Sequence, residues 1–224
     1  MLTLADVSAR LAGIQVLRGI TATLSPGDTV AVIGRNGAGK TTLLRLIMGF
    51  MPQHDGQVKF DGQNLDRVPA RDRARLGIGY APEDRVMFPT FSVEENLRFP
   101  CEVIGMTRAQ VDARLDETLT IVPELKAILA RSGAALSGGQ GKMAALGRAV
   151  MAGRRMVLLD EPFQGLAPVL AQLYAQSLDR LHQAHPDLCI VITESNRSLL
   201  KDIPTHTLVL ERGALLEGNL AFGR

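Results

Sequence analysis

The sequence contains no tryptophan, two tyrosines and two cysteines among its 224 residues. So few aromatic side chains argue against a base-stacking surface, and a formal net charge of +2 is too small to favour nucleic acid. We therefore predict no nucleic-acid partner. Cys101 and Cys189 are far apart and lack metal-ligand spacing, so we expect reduced thiols in or near the core.

Long apolar runs are also absent. No stretch reaches the roughly 18 to 20 apolar residues of a membrane-spanning helix, and residues 1–6 lack the features of a signal peptide. The 46% hydrophobic and 21% charged content is typical of a globular protein, and the length suits one domain. We expect a single domain over residues 1–224, which partner proteins would hold at a membrane if it works there.

Apolar, β-branched runs alternate with segments of helical spacing, which predicts an α/β fold with right-handed crossovers. Buried parallel strands are predicted at 29–33, 156–159 and 188–193, and helices at 41–48, 140–151 and 168–184. Half-exposed strands are predicted at 2–11, 14–24 and 57–60, and a hairpin at 207–217 that turns at Arg212 and Gly213.

A mostly helical stretch from about residue 92 interrupts the strands, as an inserted helical subdomain at approximately 92–150 would. Upstream of it, Arg71, Arg73 and Arg75 are interpreted as a solvated helix face.

Residues Gly34 to Thr41 match the pattern G-x-x-x-x-G-K-[ST], with a predicted strand before it and a predicted helix after it. Glycines let consecutive N–H groups surround phosphate oxygens, and the following helix directs its positive end at the same anion. Lys40 would reach the β- and γ-phosphates, and the Thr41 hydroxyl suits Mg²⁺. The predicted nucleotide-binding residues here are Gly34, Arg35, Asn36, Gly37, Ala38, Gly39, Lys40, Thr41 and Thr42.

Asp160 and Glu161 follow a predicted buried strand, at the sheet edge where ligands bind in open α/β folds. Asp160 is a candidate Mg²⁺ ligand. Glu161 is a candidate catalytic group that polarises an attacking water, with Lys40 as the second catalytic candidate. Alone, such a pair would more often be two exposed acids; the phosphate loop favours the functional interpretation.

Leu136 to Gln140 read LSGGQ before a predicted helix. A serine hydroxyl and glycine N–H groups at a helix start form a second anion site, so Ser137, Gly138, Gly139 and Gln140 are further nucleotide-binding candidates. Two phosphate-binding surfaces and one phosphate loop suggest that each ATP lies between the loop of one subunit and the LSGGQ of another.

Together the three motifs resemble the ATP-binding cassette (ABC) transporter ATPases over essentially the whole chain. Segments 79–85, 88–97 and 165–168 resemble the ATPase subunits of branched-chain amino acid importers. The resemblance implies a P-loop (RecA-like) core with a mostly parallel sheet, an N-terminal antiparallel β subdomain and the helical insertion. It also implies hydrolysis of ATP with Mg²⁺.

The resemblance further implies partners: two transmembrane permease subunits, a second ATPase subunit and, indirectly, a substrate-binding protein. The expected location is peripheral, on the cytoplasmic face of the bacterial inner membrane. The cargo would be branched-chain amino acids or a related small polar or aromatic substrate. A groove near residues 86–99, rich in apolar side chains, would receive a short helix from each membrane subunit.

Four departures from the family pattern affect the site. Glu83 occupies the place of a Gln that senses Mg²⁺ and the γ-phosphate, and remains a candidate metal ligand. Ser195 replaces the switch His and is too short for the same direct γ-phosphate contact, although water could bridge. Arg10 or Leu11 occupies the position of the aromatic residue that stacks on adenine in the family. Gly141 and Lys142 follow LSGGQ, where the family usually has a polar Gln or Arg.

Glu83 and Ser195 predict slow hydrolysis at this chain's own phosphate loop, since losing one transition-state contact costs about 10²- to 10³-fold in rate. A heterodimer with a faster partner is therefore favoured over a homodimer. Two alternatives differ from the importer ATPase: a nucleotide-gated dimerisation module, and a non-transport cassette ATPase. The latter usually has two cassettes or long insertions, and this chain has neither.

Overall fold

A computed structural model describes residues 1–51, 55–84, 87–200 and 203–216. Within these ranges the elements are β1 (Leu2–Leu11), β2 (Ile14–Leu24), β3 (Thr29–Ile33), α1 (Lys40–Ile47), β4 (Asp55–Phe60), β5 (Gln63–Asn64), α2 (Ala70–Arg73), β6 (Ile78–Ala81), α3 (Val93–Val103), α4 (Arg108–Ile121), α5 (Gly138–Ala152), β7 (Met156–Asp160), α6 (Pro168–Ala184), β8 (Cys189–Glu194), β9 (His206–Glu211) and β10 (Ala214–Leu215). Short 3-10 turns occur at Ala74–Leu76, Pro123–Ile128, Gly133–Ala135 and Arg197–Leu199.

The described strands form two sheets. The N-terminal sheet is antiparallel in the order β2-β1-β4-β5, and the central sheet has the order β10-β9-β3-β8-β7-β6. All neighbours in the central sheet are parallel except β10 and β9. The predicted α/β class, with its antiparallel N-terminal part, is confirmed.

The predicted strands and helices are present, with shifts of a few residues at some ends. The hairpin turns at Arg212 and Gly213, between β9 and β10; its predicted last residue, Glu217, lies outside the described residues. The sequence analysis missed β6, a four-residue strand that pairs with β7 at the sheet edge.

The central sheet separates two apolar clusters, because successive side chains of a strand point to opposite faces. On β7, Val157 and Leu159 pack among helices α3 to α6, whereas Met156 and Leu158 face α1 and the N-terminal sheet. Cys101 and Cys189 are buried free thiols, one in each cluster, as expected.

Helices α3, α4 and α5 each begin with a capping box, in which a Ser or Thr side chain and the residue three positions later bond each other's backbone N–H. The capping pairs are Ser92 with Glu95, Thr107 with Gln110 and Ser137 with Gln140. The starts of these three helices are therefore determined locally, by residues three positions apart.

The interpretation of three solvated arginines is wrong for Arg73. Arg71 and Arg75 are exposed and pair with Asp72, but Arg73 is only 6% exposed. Arg73 lies in α2, and its guanidinium reaches the end of α1. The last carbonyls of a helix have no partner within the helix. The guanidinium donates to the carbonyl oxygens of Leu46, Ile47, Leu65 and Val68.

Replacing Arg73 with Ala should lower the free energy of unfolding by about 2–4 kcal/mol, because several charge-assisted hydrogen bonds are lost and buried carbonyls lose their donor. Urea unfolding measures the change as a lower midpoint at constant slope. Arg71→Ala is the control and should change stability by less than about 0.5 kcal/mol. Equal midpoints for the two variants would contradict the capping role.

Candidate functional site

The loop between β3 and α1 lies against β2. Gly39, the residue before α1, has φ 107°, a value that L side chains rarely adopt. A Cβ atom there would lie 3.0 Å from the Leu17 side chain and 3.2 Å from the carbonyl oxygen of Val16. Only glycine permits this close approach, which fixes the loop on the N-terminal sheet.

Lys40 points back under this loop. Its Nζ donates to the carbonyl oxygen of Gly34 at 2.6 Å and of Arg35 at 3.2 Å. The same ammonium lies 3.0 Å from Oε1 of Glu161, and both side chains are 5% exposed. The two candidate catalytic residues are thus in direct contact, although 121 positions separate them in the sequence.

Asp160 lies at the end of β7, beside the start of α1. Its Oδ1 accepts hydrogen bonds from the hydroxyls of Thr193 at 2.7 Å and Thr41 at 3.1 Å, and its Oδ2 accepts from Tyr80 at 3.3 Å. Burial raises the pKa of Asp160, while these hydroxyl donors oppose the shift.

The oxygen atoms around Asp160 suit a hard cation such as Mg²⁺, which prefers carboxylate, hydroxyl and water oxygens. Thr41 and Asp160, the two predicted ligands from different elements, already touch. In the part of the chain that the structure describes, no group of three His, Cys, Asp or Glu residues could hold a metal. Any ion here would therefore use Asp160, Thr41 and further oxygens from water or nucleotide.

Glu161 has a strained backbone, with φ 46°; a left-handed non-glycine residue costs about 1–3 kcal/mol. Its N–H donates to Thr193, to the hydroxyl at 3.0 Å and to the carbonyl at 3.2 Å. Ser195 binds both carboxylate oxygens, through its hydroxyl at 2.6 Å and its N–H at 3.1 Å. Burial would raise the pKa of Glu161, but the bonds from Ser195 and Lys40 outweigh it and lower the pKa.

A cavity of about 250 Å³ lies beside Lys40, Thr41 and Glu161. Of the residues predicted from the sequence, it is lined by Asn36, Gly37, Gly39, Lys40, Thr41, Thr42, Glu83 and Glu161. Gly34 and Ala38 are buried in the wall of the loop, and Arg35 is exposed. Two lining residues, Val16 and Gln164, were not predicted.

The LSGGQ residues lie apart from this cavity. None of Ser137 to Gln140 is among its described lining residues. Instead, Ser137 and Gln140 bond each other across the first turn of α5, at 3.1 and 3.3 Å. One chain therefore does not bring the two predicted phosphate-binding surfaces together.

The β1–β2 turn presents the residues predicted near the base. Arg10 is exposed, and so are Leu11 and Ile14, at 54% and 70%. The chain thus offers aliphatic side chains at this turn.

Glu194 is a buried carboxyl that the sequence analysis missed. It is 1% exposed, and its Oε1 accepts the N–H of Phe163 at 2.8 Å. Burial raises the pKa of Glu194 to about 8. Tyr80 and Thr193 were missed as well; only their places at the ends of β6 and β8, beside Asp160, could have indicated them.

The apolar segment predicted near the helical insertion is partly exposed. Phe88, Phe91 and Phe99 form a ring cluster with centroids 4.9 to 5.8 Å apart, and Phe88 is 41% exposed. Leu97 belongs to the core, and Val86 and Arg85 lie outside the described residues. A separate groove of about 510 Å³ is lined by Phe50, Tyr80, Pro100 and Arg148, among others.

A glycine loop between a parallel strand and a helix, a lysine under that loop, and a buried Asp at the end of β7, two strands away in the same sheet, define a P-loop nucleoside triphosphatase. The family model described as "ABC transporter" matches residues 17–164. The chain belongs to the ABC transporter family and is an ATPase subunit of that family.

Two curated relatives differ in what they transport. The chain is 32% identical to "High-affinity branched-chain amino acid transport ATP-binding protein BraG" of Pseudomonas aeruginosa, over 96% of this chain and 91% of that protein. It is 28% identical to "Lipopolysaccharide export system ATP-binding protein LptB" of Escherichia coli, over 96% of this chain and 88% of that protein.

The fold matches that of solved cassettes. The "Dimeric Structure of MJ0796, a Bacterial ABC Transporter Cassette" superposes with a TM-score of 0.87 at 20% identity, over 100% of both chains. None of the described helices is long and apolar enough to cross a membrane.

The raised pKa of Glu194 predicts how stability depends on pH. The folded state prefers the protonated carboxyl. The contribution of Glu194 to the free energy of unfolding is therefore complete below about pH 4–5 and is lost as pH rises towards 8. The control variant Glu194→Gln keeps an acceptor for Phe163. Relative to it, the free energy of unfolding of the parent should fall by up to about 1.4 kcal/mol per pH unit between pH 5 and 8. Urea titrations at each pH measure the difference.

Glu95 provides a control of opposite sign, because hydrogen bonds from Ser92 lower its pKa. Glu95→Gln should differ from the parent by a constant amount between pH 5 and 8. A Glu194→Gln difference that is equally flat would show that the carboxyl is ionised throughout that range.

Proposed function

We propose that this chain binds and hydrolyses ATP to drive an importer of branched-chain amino acids or a related small polar or aromatic substrate. The similarity to BraG over nearly the whole chain supports this cargo class. The similarity to LptB supports a competing one, and an uptake experiment decides between them.

The proposal for catalysis rests on the contact between Lys40 and Glu161. A bound triphosphate would offer Lys40 a stronger anionic partner, so that the ammonium moves from Glu161 to the β- and γ-phosphates. Glu161, ionised because of its lowered pKa, would then be free to orient the attacking water and accept its proton. The loop N–H groups from Gly34 to Thr42 would bind the phosphates.

The metal site of this proposal consists of Thr41 and Asp160, with Glu83, which lines the same cavity as Thr41, as a further ligand. Mg²⁺ bound there would neutralise charge on the phosphate oxygens. The hydroxyls of Thr41 and Thr193 donate to Asp160, which keeps the carboxylate directed at the start of α1.

A second cassette would complete the site. The separation of Ser137–Gln140 from the cavity supports an arrangement in which the LSGGQ of one subunit covers the nucleotide of the other. We favour a heterodimer, because Ser195 is bound to Glu161 and Asn36, at 2.6 and 2.7 Å, and supplies no long side chain to the γ-phosphate.

Two permease subunits would hold the chain on the cytoplasmic face of the inner membrane, with a substrate-binding protein on the far side. The groove beside Phe50 and Tyr80 supports such docking. Arg148 lines it, burial lowers the pKa of its guanidinium, and among the described residues it has neither a hydrogen bond nor an ion pair. An acidic residue on a short permease helix would satisfy it.

The alternative is a nucleotide-gated dimerisation module whose own site turns over slowly. The observation in its favour is the pair of hydrogen bonds from Ser195 to Glu161, which occupies both oxygens of the proposed base. In this case the partner cassette performs most of the hydrolysis.

Glu161→Gln should reduce ATP hydrolysis at this chain's own phosphate loop by about 10²- to 10³-fold, because the proton acceptor is lost while phosphate contacts remain. The variant should bind ATP and accumulate as a dimer, measured by light scattering with and without Mg-ATP. Turnover equal to that of the parent would instead favour the dimerisation module.

Replacing Lys40 with Ala should lower uptake of radiolabelled leucine into cells by about 10²-fold, since the main cationic contact to the phosphates is removed. The parent gene restored in the same cells is the control. Normal leucine uptake together with defective lipopolysaccharide export would overturn the cargo class and leave the ATPase assignment intact.

A further inference from the structure

A lysine of the LSGGQ helix donates a hydrogen bond to the turn that contains Glu161. Lys142 lies in the second turn of α5 and is only 9% exposed. Its Nζ donates a short hydrogen bond to the backbone carbonyl oxygen of Glu161. The same carbonyl accepts the N–H of Gln164 at 3.3 Å, closing the turn after β7.

The position of this bond matters because Glu161 is strained. Its N–H is held by Thr193 and its carbonyl by Lys142, so both peptide groups of the left-handed residue are fixed from outside the turn. The carboxylate direction follows from that backbone, since it must reach Lys40 at 3.0 Å and the Ser195 hydroxyl at 2.6 Å. A relaxed turn would move the carboxylate away from both.

The surroundings explain why a cation is accommodated there. Glu194 is buried on the same side of the turn, and the charge of Lys142 acts on it, favouring its ionised form. The Glu161 carbonyl supplies the acceptor that a buried ammonium requires, and Glu194, whose pKa is raised by burial, adds negative charge beside it only to the extent that it ionises.

We propose that Lys142 is a positioning residue for Glu161, which holds the strained turn so that the carboxylate points into the nucleotide cavity. The inference rests on the proposed role of Glu161. Lys142 itself lines no part of that cavity among the described residues, so it acts on the rate of hydrolysis and not on nucleotide affinity.

Lys142→Met keeps an unbranched side chain and removes the donor. In single-turnover hydrolysis, with the full chain in excess over radiolabelled ATP, we expect the rate constant to fall by about 10²-fold. The dissociation constant for Mg-ATP should change by less than about threefold, because the loop contacts are intact. Lys142→Arg, which restores a cationic donor, should recover the rate to within about tenfold of the parent.

A double variant separates positioning from general damage. In a Glu161→Gln background, Lys142→Met should slow hydrolysis by less than about twofold, because both changes remove the same contribution. Fully additive losses would overturn the proposal. If Glu161→Gln alone hydrolyses ATP at the parent rate, the proposed role of Glu161 fails, which is a different result.

Arg114 gives the matched control. It is 8% exposed and also donates to backbone carbonyls, of Val150, Met151 and Gly153 at the other end of α5. Arg114→Met should lower stability yet leave the single-turnover rate within about twofold of the parent. Equal rate losses in the Arg114 and Lys142 variants would overturn the proposal.

If Lys142→Met does not fold, Lys142→Gln replaces it, because glutamine is shorter and uncharged. It should then show about a tenfold loss of rate at unchanged affinity. A parent-like rate would be evidence against positioning.

Discussion

The buried ammonium of Lys40 is the interaction on which the site depends. A lysine that is 5% exposed must be compensated, since an unpaired buried charge is strongly unfavourable. The compensation comes from the carbonyls of the loop and from Glu161, so one cation connects the end of β3 to the end of β7. Parallel strands make this possible because their carboxyl ends meet at one edge of the sheet. A phosphate that enters the loop therefore competes with a carboxylate already in place.

Both ends of α1 are fixed by groups that are distant in sequence. Lys40 and Gly39 fix its start against Glu161 and β2, and Arg73 binds the carbonyls at its end. A helix of eight residues has little stability of its own, so these tertiary contacts determine where the phosphate loop lies. The rigidity that the loop needs for anion binding is supplied from outside the motif.

The difference between local and distant contacts explains how much could be predicted from the sequence. The helix after the phosphate loop, the helix that LSGGQ starts and the strand before Asp160 are encoded by residues close together, and their predicted positions agree with the structure to within a few residues. The sequence analysis also anticipated that the loop and the carboxylate pair would share one sheet edge. It failed for Arg73, assigned to a solvated face by its neighbours, because burial came from α1 and the segment before α2. The roles of Glu194 and Thr193 could not be predicted from the sequence. Both lie in an apolar strand, and their roles depend on contacts with Phe163, Glu161 and Asp160, which are distant in the sequence.

Ser195 shows how one short side chain changes the chemistry of this edge. Its hydroxyl and N–H bind the two oxygens of Glu161. These bonds lower the pKa of that carboxylate, and a carboxylate with a lower pKa is a weaker proton acceptor. The same bonds fix its direction, together with those that the Glu161 N–H donates to Thr193 and that Lys142 donates to the Glu161 carbonyl. Ser195 therefore aligns the carboxylate while reducing its basicity, which gives the slow-site alternative a physical cause separate from the missing phosphate contact.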